Sequence, residues 1–159
     1  GSGMELERVL GGSCKKEKGC VLKMWIDGAS RGNPGLASYG VYVTDADGSK
    51  VREISRCIGK YTNNVAEWQA AVEGLRSAVE LKARRVELSS DSKLVVMQLT
   101  GKWQVRHPHL QPYCNKAQKL ARQIEDFDIK WVPREDNKEA DRLANYALDF
   151  GDKVWEYEY

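Results

Sequence analysis

Three apolar segments follow one another between Val21 and Gly59 on connections too short to hold a helix, and from Ala66 the apolar spacing lengthens to a helical period. No other feature restricts the fold as much. Strands joined by short links pair antiparallel, whereas strands separated by helices return parallel through right-handed crossovers. The first strand reads as VLKMWID, ending on Asp27. The next two are the arms of ASYGVYVTDADGSKVREISRCIG, where Asp47-Gly48 is a strong hairpin signal. Ala70, Ala71, Leu75, Ala78, Val79 and Leu81 then recur at helical spacing. RVELSS predicts a fourth strand and DSKLVVMQLT a short helix, while GKWQVRHPHLQPY, with two prolines, reads as connection. Ala117, Leu120, Ala121 and Ile124 predict a helix over about 111–126. DIKWVP is the last strand, and KEADRLANYALDF a final helix with Asn137 as its N-cap. The expected fold is α/β: a five-stranded mixed sheet flanked by helices.

At 159 residues one domain is the simplest expectation. Gly1, Ser2 and Gly3 before Met4 read as an expression remnant. Residues 1–20 form a polar, aperiodic extension, 21–150 the folded domain and 151–159 a tail. No apolar run approaches the roughly 20 residues that cross a bilayer, and no leader pattern is visible, so a soluble, cytoplasmic monomer without an obligate protein partner is expected. The net charge of +2 is too small to hold a polyanion by the overall field, so any such ligand must find a local patch. Lys15, Lys16 and Lys18 cluster near the start and Lys82, Arg84 and Arg85 in the middle, each more simply a solvated face. Cys14, Cys20, Cys57 and Cys114 permit three pairings into two disulfides. Cys14 and Cys20 are spaced to close a small loop or to hold a metal with distant partners, whereas Cys57 and Cys114 read as small apolar residues or incidental thiols. With no CxxC pair and both histidines in RHPH, the chain lacks the spacing of a structural zinc site.

Four acids stand at element ends. Asp27 closes the first strand, Glu67 opens the first long helix, Asp91 follows the fourth strand, and Asp141 lies in the first turn of the last helix. Strand C-terminal ends and the helix starts that follow them share one rim of such a sheet, the usual place for a site. The helix dipole explains Glu67 or Asp141 taken singly. It does not explain Asp27, a carboxylate at the end of an apolar strand, followed by GASRGNPG, which leaves it uncrowded. Like charges raise one another's pKa, and divalent cations remove that cost. An all-oxygen set suits Mg2+ or Mn2+ rather than zinc. Two such ions about 4 Å apart can drive phosphodiester cleavage without a side-chain nucleophile. On spacing alone, metal-dependent phosphoryl chemistry and an unreactive α/β binding domain stand level. No GxSxG elbow, Walker loop or dinucleotide fingerprint is present.

DGASRGNPG, TNNVAEWQA, SSDSKLVV and WVPREDNKEADRLANYA, in this order and spacing, resemble type 1 ribonuclease H over nearly all of 21–150. The resemblance implies a ribonuclease H-like sheet of strand order 3-2-1-4-5 and endonucleolytic cleavage of the RNA strand of RNA/DNA hybrids by two Mg2+ ions, with Mn2+ as substitute. It implies Asp27, Glu67, Asp91 and Asp141 as catalytic metal ligands, and products with 5'-phosphate and 3'-hydroxyl ends. It also implies hybrid contacts at Gly28, Ala29, Ser30, Asn33 and Asn63, a DNA-phosphate contact at Thr62, and a contact at Lys93, where the family commonly has glutamine. The chain departs from the family in three ways. Its loop PREDNKE has no histidine, leaving Arg134 to approach a phosphate, and an arginine cannot shuttle a proton at neutral pH. It lacks the basic protrusion, which leaves Lys102, Arg106, Lys116 and Trp103 as candidate contacts. Its N-terminal extension lacks the aromatic, basic pattern of a hybrid-binding domain. The compact form is similar to archaeal and some bacterial members, a few of which also cleave duplex RNA. The alternatives are a non-catalytic hybrid-binding module or a DNA-directed nuclease of the same fold.

Overall fold

The computed structural model describes residues 20–157. The expression remnant, most of the N-terminal extension with its lysines, and Cys14 lie outside the described residues. Strands β1 (Val21–Gly32), β2 (Gly35–Asp45) and β3 (Lys50–Tyr61) form an antiparallel meander. Helix α1 (Asn63–Glu80) then crosses to β4 (Arg85–Ser90), which lies parallel to β1. Helices α2 (Lys93–Leu99) and α3 (Gln111–Ala121) lead to β5 (Asp126–Trp131), parallel to β4. A single 3-10 turn, Arg134–Asp136, precedes α4 (Lys138–Phe150), and β6 (Lys153–Glu156) ends the described chain.

The expectation of five strands in the order 3-2-1-4-5 is corrected to six, in the order β6-β3-β2-β1-β4-β5. Residues 153–156, read above as tail, pair antiparallel with the otherwise open edge of β3. The segment DKVWEYEY is short and half-charged, so its alternation is too weak to mark a strand. It is held by its partners instead. Arg52 binds Glu156, Trp155 meets the Tyr146 ring edge-on, and the Tyr157 hydroxyl donates to buried Glu53.

The first strand also runs further than expected, through GASRG to Gly32, because Gly28–Gly32 keep pairing with Tyr39–Gly35 of β2. Asp27 therefore does not end β1. It sits where β1 loses its other neighbour, one residue past the last β1/β4 pair, Ile26 with Ser90. The α3 helix stops short of the expected end because Gln123 and Ile124 donate to carbonyls three residues back, which tightens the chain into a turn before β5.

Apolar residues of β1, β2 and β4 (Leu22, Met24, Ile26, Val41, Val43, Leu88) pack against α1 to α3, with Trp68, Leu75 and Leu99 fully or nearly buried. The other face receives α4 through Ala140, Leu143, Ala144 and Ala147. Two glycines set how near the helices come. A Cβ on Gly28 would lie 2.3 Å from the Glu67 amide nitrogen, and one on Gly40 2.3 Å from the Ala140 carbonyl oxygen. Thus α1 and α4 press on opposite faces of adjacent strands, and Gly40 is the direct register partner of Asp27. Serines finish the α4 seam, Ser38 and Ser55 donating to the Ala144 and Leu143 carbonyls at 2.6 and 2.7 Å. Cys57 and Cys114 are free thiols and Cys20 is disulfide-bonded. The basic cluster is largely spent on ion pairs, Arg84 with Glu125 and Arg85 with Glu87 and Asp126.

Candidate active site

Four elements deliver the four acids to one place. Asp27 is 4% exposed at the point where β1 and β4 diverge, and Asp91 is half-buried just past the end of β4. Glu67, fifth residue of α1, lies beyond the first turn where sequence placed it, so its burial is not an effect of the helix dipole. Its Oε1 accepts from the Gly28 amide at 2.7 Å, a bond that the missing Gly28 side chain makes sterically possible. Asp141 is in the first turn of α4 and accepts from Asn145 Nδ2.

Asp27, Glu67 and Asp91 each present a carboxylate oxygen such that all three lie within 4.8 Å of one another. Asp141 stands outside that trio but close enough to Asp27 to act on its carboxyl electrostatically. Burial pushes the Asp27 carboxyl well above the usual carboxylate range, and the neighbouring Glu67, Asp91 and Asp141 carboxyls push it further. Burial and Asp91 also raise Glu67, while the Gly28 amide and the Arg134 guanidinium pull it back. A bare cluster of this kind is electrostatically frustrated, and a divalent cation relieves it. The donors are oxygens alone, without sulfur or imidazole, which fits a hard cation.

The cleft around the trio, about 340 Å³, is lined by Asp27, Gly28, Asn63, Glu67, Asp91, Trp131 and Arg134. Of the residues expected to contact substrate, Gly28 and Asn63 are thus in it, as is Arg134. Ala29, Ser30, Asn33 and Thr62 are not among its lining residues: Ala29 and Ser30 continue β1, Asn33 lies in the turn after it and Thr62 just before α1. Ser30 donates to the Tyr61 carbonyl, Asn33 Oδ1 accepts from the Asn63 amide at 3.0 Å, and Thr62 caps α1 by accepting from Val65. Lys93 opens α2, exposed and outside the lining. Lys93, Lys102, Arg106 and Arg134 carry no ion pair among the described residues. A second cleft of about 500 Å³ along α2 is bounded by Gln98, Lys102, Trp103, Arg106 and His107.

Two residues of the site escaped the sequence reading. Asn137 holds the expected N-cap position of α4, but its side chain makes no cap bond. It donates to the Ile26 carbonyl at 2.8 Å instead, tying the loop to β1 beside Asp27. Trp131, 49% exposed, donates through Nε1 to the Asp91 carbonyl. The one signal for it was a tryptophan in WVP at the end of the last strand.

A meander followed by parallel crossovers, with an all-carboxylate centre where the two parts diverge, defines an α/β protein with an acidic cluster that could hold a divalent metal. The Reverse transcriptase-like family profile matches residues 26–147. The bifunctional protein Rv2228c of Mycobacterium tuberculosis is 50% identical over 124 residues, 77% of this chain and 34% of that protein. Its N-terminal RNase H domain superposes with a TM-score of 0.80 at 47% identity, covering 83% of this chain and 96% of that one. RNase H1 of Halobacterium salinarum superposes with a TM-score of 0.78 at 42% identity, over 81% of this chain and 98% of its own. LC11-RNase H1, solved in complex with RNA/DNA hybrid, gives 0.75 at 34%, over 80% and 96%. The chain belongs to the ribonuclease H1-like family. It spans about a third of the length of the mycobacterial relatives it matches.

Proposed function

We propose that this chain is a metal-dependent endoribonuclease that hydrolyses the RNA strand of RNA/DNA hybrids, leaving 5'-phosphate and 3'-hydroxyl ends. The observation that carries the proposal is the trio of carboxylate oxygens within 4.8 Å, with Asp141 near enough to act on Asp27, on the fold of a relative solved with hybrid. Asp27, Glu67, Asp91 and Asp141 would together hold two Mg2+ ions, with Mn2+ able to replace Mg2+. When bound, the ions supply an activated water and stabilise the leaving oxygen.

The remaining work falls to the chain's own residues. The Gly28 amide fixes the Glu67 carboxylate. Arg134 offers a positive charge to the phosphate. Asn33, Asn63 and Ser30, with Ala29 beside them, would meet 2'-hydroxyls, read by shape rather than base sequence, with Thr62 as a contact to a DNA-strand phosphate and Lys93 as a contact to bases or sugars. The α2 cleft, with its unpaired Lys102 and Arg106 around Trp103, would support the second strand in place of a basic protrusion. Side-by-side incubation with labelled hybrid, duplex RNA and duplex DNA in Mg2+ tests the reading. Internal RNA cuts in the hybrid are expected, and cutting of duplex RNA as well would extend the substrate range. Intact hybrid across a series of Mg2+ and Mn2+ concentrations refutes it, and preferential cutting of DNA would make the chain a DNA-directed nuclease.

A further inference from the structure

The β4/β5 ladder does not stop where its strands do. Ser90 and Trp131 are its last register pair, and the Val132 amide still reaches the Ser90 carbonyl at 2.9 Å. The carbonyl that follows, that of Asp91, lies just past β4, and no backbone amide reaches it among the described residues. The Trp131 indole folds back to fill the place, Nε1–H donating at 3.1 Å. On the other side of Asp91, the Ser90 hydroxyl holds the Ser92 amide at 3.0 Å, and Ser92 caps α2. Asp91 thus sits at a bend whose incoming ladder is closed by a side chain from a different strand, and that side chain lines the same cleft as the acids.

Resting on the reading of the trio as a metal centre, we infer that Trp131 is a positioning residue: its indole N–H fixes the backbone of Asp91 and so aims that carboxylate at the cation shared with Asp27 and Glu67. A tryptophan left half exposed, with its one polar atom bound to a ligand-bearing residue, is poorly explained by core packing. Groups that orient metal ligands from behind are worth about 10- to 100-fold in affinity. The cation most sensitive to misaimed oxygens is Mg2+, which demands near-ideal octahedral geometry, whereas Ca2+ accepts irregular cages of six to eight oxygens. The indole should therefore matter more for Mg2+ than for Ca2+. A residue that only stabilised the fold would not discriminate between them.

Calorimetric titration of Mg2+ and of Ca2+ into EDTA-stripped wild type, Trp131→Phe and Trp131→Ala tests this. Trp131→Phe keeps a ring of similar bulk and loses the donor. It should weaken Mg2+ about tenfold and Ca2+ by clearly less, and Trp131→Ala should do the same to a similar degree. Excess Mg2+ should restore hybrid cleavage by the Phe variant. Wild-type Mg2+ affinity in Trp131→Phe overturns the inference, whatever the Ala variant does. Equal losses for both cations also overturn it, since they mark general loosening. If wild type itself binds neither cation, the metal-nuclease reading is what fails.

Discussion

Replacing Asp27 by Asn should make the metal-free protein more stable while abolishing cleavage. In the folded chain Asp27 is buried within 4.8 Å of two other carboxylates. Keeping it charged beside even one of them costs about 3 kcal/mol at an effective dielectric of 20. Taking up a proton instead caps the cost, since each pH unit above the ordinary value of 3.8 is worth about 1.4 kcal/mol, or about 4 kcal/mol at pH 7. The two routes agree, so a gain of about 3 kcal/mol is expected. At roughly 3 °C per kcal/mol for a chain of this size, the melting temperature in EDTA at pH 7 should rise by about 9 °C. The pH dependence follows from the raised folded-state pKa. Above pH 3.8 the unfolded chain has released a proton that the native state retains, so the wild type loses stability as pH climbs towards the folded value, and below about pH 4 the penalty is absent. Circular-dichroism melts at pH 4 and pH 7, with EDTA and with Mg2+, check this. The variant's advantage should vanish at pH 4 and shrink in Mg2+, which stabilises only the protein that binds it. No advantage at pH 7, or one that persists undiminished at pH 4, would refute the reasoning.

Gly28→Ala places a Cβ 2.3 Å from the Glu67 nitrogen and 2.4 Å from the Ala66 carbonyl carbon, both backbone atoms that cannot swing aside. It should cost about 3 kcal/mol in urea unfolding and lower cleavage beyond what the lost stability explains. Arg134→Ala should cut the cleavage rate about tenfold at saturating Mg2+, equivalent to about 1.4 kcal/mol, with Arg134→Lys recovering only part of it in single-turnover assays. Removing residues 153–159 strips Tyr157 from buried Glu53 and Glu156 from Arg52. A loss of about 2 to 3 kcal/mol should appear in thermal melts, with cleavage per folded molecule unchanged.

The strands and helices that bury a regular apolar stripe were legible. RVELSS is β4 to the residue, and KEADRLANYALDF is α4 to the residue. What escaped was whatever depends on a distant partner. β6 exists because β3 offers an open edge and Glu53 a buried acceptor, neither of which marks the text of DKVWEYEY. The continuation of β1 through GASRG rests on pairing with β2, and a run of small residues reads as loop until that partner is known. The acids were recoverable because Asp91 and Asp141 sit at element ends and the small residues after Asp27 leave its carboxylate uncrowded, whereas the places of Asp27 inside β1 and of Glu67 beyond the first turn of α1 were not legible. Trp131 and Asn137 were not, since a tryptophan in a strand and an asparagine before a helix each have a sufficient local explanation.

The same distinction bears on how the site is held together. A cluster that raises the pKa of its own members works against folding, so contacts away from the charges must hold it in place. Here those contacts are the two close approaches, α1 over Gly28 and α4 over Gly40, made from opposite faces onto adjacent strands. Each is backed by apolar burial that the acids do not share, Trp68 and Leu75 on one side and Leu143 and Ala144 on the other. Asn137 and Trp131 then pin the two loops between, at the Ile26 and Asp91 carbonyls. The contacts that bring the trio together thus do not depend on the acids themselves. Binding should release strain rather than induce a fold, which is why neutralising Asp27 should stabilise the bare chain instead of unravelling it.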